Sequence, residues 1–181
     1  MRLLCLLAVL SAAADLLSLL LVLRGISSWP VINLFFIGQF ILFFRVLAWD
    51  LGSTLLRVCF IGCLIFCAVD FLFLQKPQTL NSYTSYATGI VMIASAISFL
   101  YQLMAKLPVE RVQTLPLFWV AFCVLVYYGG TMFLFLFNNY IMVHLPQSFT
   151  NYWTLHNLLN ITKNGLLFVT LWINYKSRSQ S

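Results

Sequence analysis

Residues Tyr152 to Asn174 form a stretch long enough and apolar enough to cross a bilayer, yet it contains His156, Asn157, Asn160, Lys163 and Asn164. Hydrocarbon offers no water to satisfy such groups, so they must face protein or a wet cavity. At about 100° per residue, these five residues and Asn174 fall within an arc of roughly 120° on a helix. Leu158, Leu159, Ile161, Leu166 and Val169 lie mostly outside that arc. The stretch therefore predicts a helix with one lipid face and one polar face. The remaining chain has to supply partners for the polar one.

Composition narrows what that remainder can be. Of 181 residues, 62% are hydrophobic and 8% charged, with a mean hydropathy of +0.98. A soluble domain carries about a quarter charged residues and under half apolar ones. This balance predicts an all-α, polytopic transmembrane bundle forming a single domain over 1–181, with no room inside it for a separate soluble enzyme or signalling module. The net charge of +6 would suggest nucleic acid in a soluble protein. Here the basic residues sit at span ends and read as topology signals, so no nucleic-acid partner is expected. The five cysteines (Cys5, Cys59, Cys63, Cys67 and Cys123) all lie inside apolar runs and define no disulfide framework.

Six spans are predicted, at 3–23, 29–47, 54–74, 82–105, 115–139 and 152–174. Arg2, an apolar run and Ala12-Ala13-Ala14 mimic a signal peptide, but the run continues through Leu23 and reads as an uncleaved first helix. Pro30 falls in the first turn of the second span, where its missing N–H costs nothing. Asp50 to Ser53 and stretches containing Pro77, Pro108 and Pro146 separate the later spans. Lys176 to Ser181 reads as a solvated polar tail. One side of the bilayer then holds Arg2, Arg45, Arg57, Lys106, Arg111, Lys176 and Arg178, against Arg24 and Lys76 on the other. That bias places both termini in the cytoplasm.

With this orientation each polar residue acquires a depth, at about 1.5 Å per residue. The outer half collects Asn33, Asp70, Tyr83, Tyr86, Thr88, Asn138, His156, Asn157 and Asn160. Asp15, Gln39, Tyr127, Tyr128, Thr131 and Lys163 lie near the middle. The inner half is almost free of ionisable groups away from its interface. A pocket opening outward is the simplest cause.

Lys163 lies where a charge costs about 2.5–3.5 kcal/mol to insert. Asp15, at similar depth, is its expected partner, either to fix helix register or as a pair that a ligand or proton can break. His156 matches Asp70 in depth, and the two could form a static hydrogen bond, a proton relay or half of a metal site. Cys59, Cys63 and Cys67 share one helix face, which small apolar packing explains better than thiolate ligation. Gly129 and Gly130 permit either a close helix contact or a bend beside the cavity. No catalytic constellation, cofactor fingerprint or metal-ligand spacing is present in the sequence.

Three stretches also carry a resemblance. They are Leu117-Phe118-Trp119 leading to Tyr127-Tyr128-Gly129-Gly130-Thr131-Met132-Phe133-Leu134-Phe135, then Asn81-Ser82-Tyr83 with Leu100-Tyr101-Gln102-Leu103, and Trp153-Thr154-Leu155-His156-Asn157-Leu158-Leu159-Asn160. Together they resemble a family of small uncharacterised membrane proteins from Bacteroidetes bacteria, whose members show an FW…Y-[FY]-[SG]-G segment and a closing H-x-x-x-N helix. The resemblance implies a seven-span pattern of which the first helix is missing here. It also implies that Tyr128, Gly130, His156 and Asn160 matter, and it brings no activity with it.

A receptor-like or sensory bundle fits these observations best: a small ligand taken from outside and a helix shift passed to a cytoplasmic signalling partner. The candidate pocket or polar-core residues are Asp15, Asn33, Gln39, Asp70, Tyr86, Tyr128, Gly130, Asn138, His156, Asn157, Asn160 and Lys163. The alternatives are a proton-coupled carrier using Asp15, Lys163 and His156, or a packing subunit of a larger membrane complex. An enzyme centred on His156 and Asp70 is poorly equipped, because the chain has two histidines and four acidic residues in all.

Overall fold

The computed structural model describes residues 2–74, 82–106, 112–144 and 149–179. A few side chains within these stretches, those of Asp15 and Asn138 among them, lie outside the description. Six α-helices follow one another: α1 (Arg2–Leu23), α2 (Trp29–Leu47), α3 (Thr54–Val69), α4 (Ser82–Lys106), α5 (Pro116–His144) and α6 (Phe149–Ser179). Single 3₁₀ turns at Trp49–Leu51 and Val112–Thr114 lead into α3 and α5.

Local chemistry sets several of these ends. Gly25 takes φ +70° after α1, and the Ile26 N–H reaches back 2.9 Å to the Leu21 carbonyl, the six-to-one bond of a Schellman cap. Gly52 adopts φ +72° behind the first 3₁₀ turn. Ser53 then starts α3 by accepting the Leu56 N–H on its Oγ at 3.4 Å. The sequence places a span over 54–74, and the chain is helical throughout it. From Asp70 to Leu74, however, the helix loosens into a π turn. The last helix extends beyond its expected 152–174 at both ends, so Lys176 continues it rather than forming a loose tail.

Among the described residues, four segments are long and apolar enough to cross a membrane: Trp29–Leu47, Thr54–Phe73, Tyr83–Ala105 and Pro116–Phe137. α6 is not among them, because its stripe of His156, Asn157, Asn160, Lys163 and Asn164 lowers its hydropathy. Leucine, isoleucine and phenylalanine stand exposed on the flanks, as at Leu55, Ile61, Ile65, Leu72 and Phe73 of the third span. Such a surface suits hydrocarbon and not water.

α5 is the hub. Its most extensive contacts are with α4 on one side and α6 on the other, while α1 leans on α2 and touches α6 only sparsely. The buried face of α4 is mostly small, with Thr84, Ser85, Thr88, Ser95 and Ala96 flanking the longer Met92. Small side chains let helix backbones approach where lipid supplies no hydrophobic drive for association. Deeper in the bundle Phe40, Phe43 and Phe44 of α2 are fully buried, and Phe44 stacks on Phe60 of α3 with ring centroids 4.1 Å apart.

Candidate functional site

The inward face of α6 runs through Tyr152, His156, Lys163, Leu167 and Thr170, all buried. Sequence reasoning centres the polar arc near Asn160. The structure turns it so that His156 and Lys163 point into the bundle, Asn160 is half-buried and Asn157 lies exposed on the shoulder.

Around the first two turns of this face lies a cavity of about 480 Å³. Trp153, His156, Asn157, Asn160 and Ile161 of α6 form one wall. Ile32, Phe35 and Phe36 of α2 form another, Ala14 and Ser18 come from α1, and Tyr127 from α5. The volume falls in the range of sites that hold small organic molecules, and the lining has their usual character, mainly apolar with a few convergent polar groups. A second hollow of about 630 Å³ adjoins it at the α1–α2 turn and shares Ser18, Ile32 and Trp153. At this end Trp29 meets Trp153 edge to face at 5.4 Å, tying the start of α2 to the start of α6.

His156 dominates the polar wall. Its ring lies 4.9 Å from Trp153, 5.5 Å from Phe135 and 6.2 Å from Phe36, centroid to centroid. The residue is only 7% exposed, and its buried Nδ1 has no hydrogen-bond partner among the described residues. A buried polar atom in that state costs about 1–3 kcal/mol.

Lys163 lies two turns along the same face. It is fully buried, and its Nζ donates to Gln39 Oε1 at 3.1 Å. The ammonium also lies 4.7 Å from the Tyr127 ring centroid and 5.1 Å from that of Phe35. Two aromatic faces and an amide oxygen thus accompany a charge at mid-bundle. The expected pairing with Asp15 falls outside the described side chains. One residue on from Lys163, Asn164 accepts on its Oδ1 the Ser11 hydroxyl of α1 at 3.2 Å.

The other candidates are distributed. Asn33 and Gln39 are buried on α2, and Tyr128 is buried on α5 with its ring edge-on to Phe43 at 6.2 Å. Tyr86 is half-buried on α4. Asn138 has no described side chain. Gly130 makes a helix contact: a Cβ there would stand 2.7 Å from Leu159 Cδ1, and α5 runs through this point without interruption. Between the two roles the sequence leaves open for the glycine pair, Gly130 takes the contact.

Asp70 is fully buried at the start of the π turn and does not meet His156. Its Oδ2 accepts a 2.6 Å hydrogen bond from Thr84 Oγ1 of α4, while Oδ1 has no partner among the described residues. Thr84→Val keeps the shape and removes the donor. It is expected to cost about 1–3 kcal/mol, read by thermal or denaturant unfolding in detergent. Thr84→Ser, which keeps the hydroxyl, should lie near the parent. Equal stability of the Val and Ser variants would show that the bond contributes nothing.

On the cysteine face, Cys63 and Cys67 are buried while Cys59 is exposed. Among the described residues no group of three or more His, Cys, Asp or Glu comes together in a way that could hold a metal ion. Of the cavity wall, sequence reasoning misses Ser18, Ile32, Phe35, Phe36 and Trp153. Trp153 enters there only within the resemblance motif, and Ser18 not at all. Comparison of the chain with protein-family models, curated proteins and solved structures gave no match.

Proposed function

We propose that the chain is a receptor-like bundle lying wholly within a bacterial inner membrane. Both termini are cytoplasmic, and the cavity opens outward and takes a small ligand whose binding a cytoplasmic partner reads. One observation supports this reading: an imidazole and two amides, from His156, Asn157 and Asn160, stand together on the wall of a small-molecule-sized cavity, and the buried His156 Nδ1 has no hydrogen-bond partner among the described residues. We also propose kinship with the small Bacteroidetes membrane proteins. Two of the motif residues, His156 and Asn160, lie on the cavity wall, and Gly130 packs against the residue preceding Asn160.

The test uses a neutral aromatic fluorophore with one N–H donor, N-phenyl-1-naphthylamine, titrated against purified protein in nanodiscs. Energy transfer from tryptophan should contain a saturable, stoichiometric component above the lipid background. His156→Ala and Asn160→Ala should each weaken that component by up to about tenfold, the worth of one net hydrogen bond, with unfolding temperatures near the parent's. Absence of a saturable component, or unchanged affinity in well-folded variants, would reject the pocket and favour the packing-subunit reading.

A further inference from the structure

We propose that the ligand of this cavity is an uncharged, single-chain amphiphile dissolved in the bilayer, and that it arrives sideways between α1 and α6. This rests on the pocket reading above and adds the chemistry and the route.

The route follows from which residues belong to two surfaces at once. Ile161 lines the cavity and is also 67% exposed on the outside of the bundle, and Asn157 likewise lines the cavity and is exposed. Across from them, Ala14 and Ser18 of α1 are half-buried. The hydrogen bond that joins the two helices, Ser11 to Asn164, lies at mid-bundle, half-way along each helix. On the His156 side of that bond, residues of both helices line the cavity: Ala14 and Ser18 of α1, and Asn157, Asn160 and Ile161 of α6. The rims of this gap are apolar, with Leu17 of α1 and Leu158 of α6 about half exposed. Water gains nothing at such a rim, whereas an alkyl chain does.

The chemistry follows from the lining. Toward α2 the walls are aromatic, at Phe35 and Phe36, while the polar groups are Ser18, His156, Asn157 and Asn160. Hydroxyl, imidazole and amide groups pair with an uncharged head such as a glycerol, ester or primary amide. Among the described residues, no lining side chain is a carboxylate that would hold a cationic head, or an Arg or Lys that would hold an anionic one. Asn157 presents an amide on the lipid-facing shoulder, where hydrocarbon alone leaves it unsatisfied. A head group passing through the gap meets that amide first and His156 next. The chain then remains between α1 and α6.

The experiment is photo-crosslinking in proteoliposomes with a diazirine-bearing monoacylglycerol, alongside the matching diazirine fatty acid and alkyl-trimethylammonium. Monoacylglycerol adducts should concentrate on peptides containing Ser18 and Asn157–Ile161 and should saturate. Unlabelled monoacylglycerol should compete them away, and the two charged analogues should label these peptides at least fivefold less. Ala14→Trp, which fills the gap, should reduce the adducts by a similar factor. Ile161→Trp, at an exposed position, does the same job if the first variant fails to fold. Adducts spread evenly over every lipid-facing helix would overturn the proposal, as would equal labelling by a charged analogue or indifference to both tryptophans. If N-phenyl-1-naphthylamine still binds saturably in that event, the cavity survives and only its lipid ligand falls. If neither molecule binds, both readings fall.

Discussion

Gln39→Leu should destabilise the bundle by about 1.5–3 kcal/mol, the worth of a buried hydrogen bond to a charged group. Gln39 and Lys163 are both fully buried, and their 3.1 Å contact joins α2 to α6 at the depth where an ammonium is hardest to hydrate. The Phe35 and Tyr127 faces temper the loss without replacing an acceptor that points at the Nζ. A double-mutant cycle with Lys163→Met isolates the pair from whatever else each residue touches. Denaturant unfolding of the four proteins should give a coupling of about 1–3 kcal/mol between the two positions. Additive effects would show that the contact carries no energy.

The second large effect is expected at Gly130. Leu159 Cδ1 and Cδ2 lie 2.7 and 2.8 Å from where a Cβ would stand. Alanine meets only the far end of a leucine side chain, which can turn away, so Gly130→Ala should be mild, within about 1 kcal/mol. Gly130→Leu leaves no such escape and must push α6 off α5, at about 3 kcal/mol. Because Asn160 follows Leu159, the same displacement should weaken fluorophore binding. Leu159→Ala in the Gly130→Leu background should restore much of both. A Gly130→Leu protein as stable as the parent would place the α5–α6 contact elsewhere.

How much of this was legible beforehand differs from element to element. All six helices and most of their ends can be read from apolar runs broken by Gly, Pro and polar clusters, as at Gly25 and Gly52. That α6 has a polar face was equally plain. What faces inward elsewhere was not. In a bilayer the interior and the surroundings are both apolar, so hydrophobicity cannot sort them. On α2, Leu34 is 59% exposed and its neighbour Phe35 is 8% exposed, yet nothing in their chemistry separates them. The same blindness hid the aromatic half of the cavity wall. Depth matching brought His156 and Asp70 to one level but could not tell that they belong to different helix interfaces. There a threonine, Thr84, is the partner of Asp70. The π turn at Asp70–Leu74 lies in an unremarkable apolar run and leaves no local mark.

The single face of α6 that carries His156, Lys163 and Asn164 has a mechanical corollary. Any appreciable roll of that helix about its own axis would swing the Lys163 ammonium toward acyl chains, at about 2.5–3.5 kcal/mol or more, and would strip Ser11 of its acceptor. Rolling is thereby penalised. Sliding lengthwise by a turn would part Lys163 from Gln39 and Asn164 from Ser11 as well, so α6 is held against both motions.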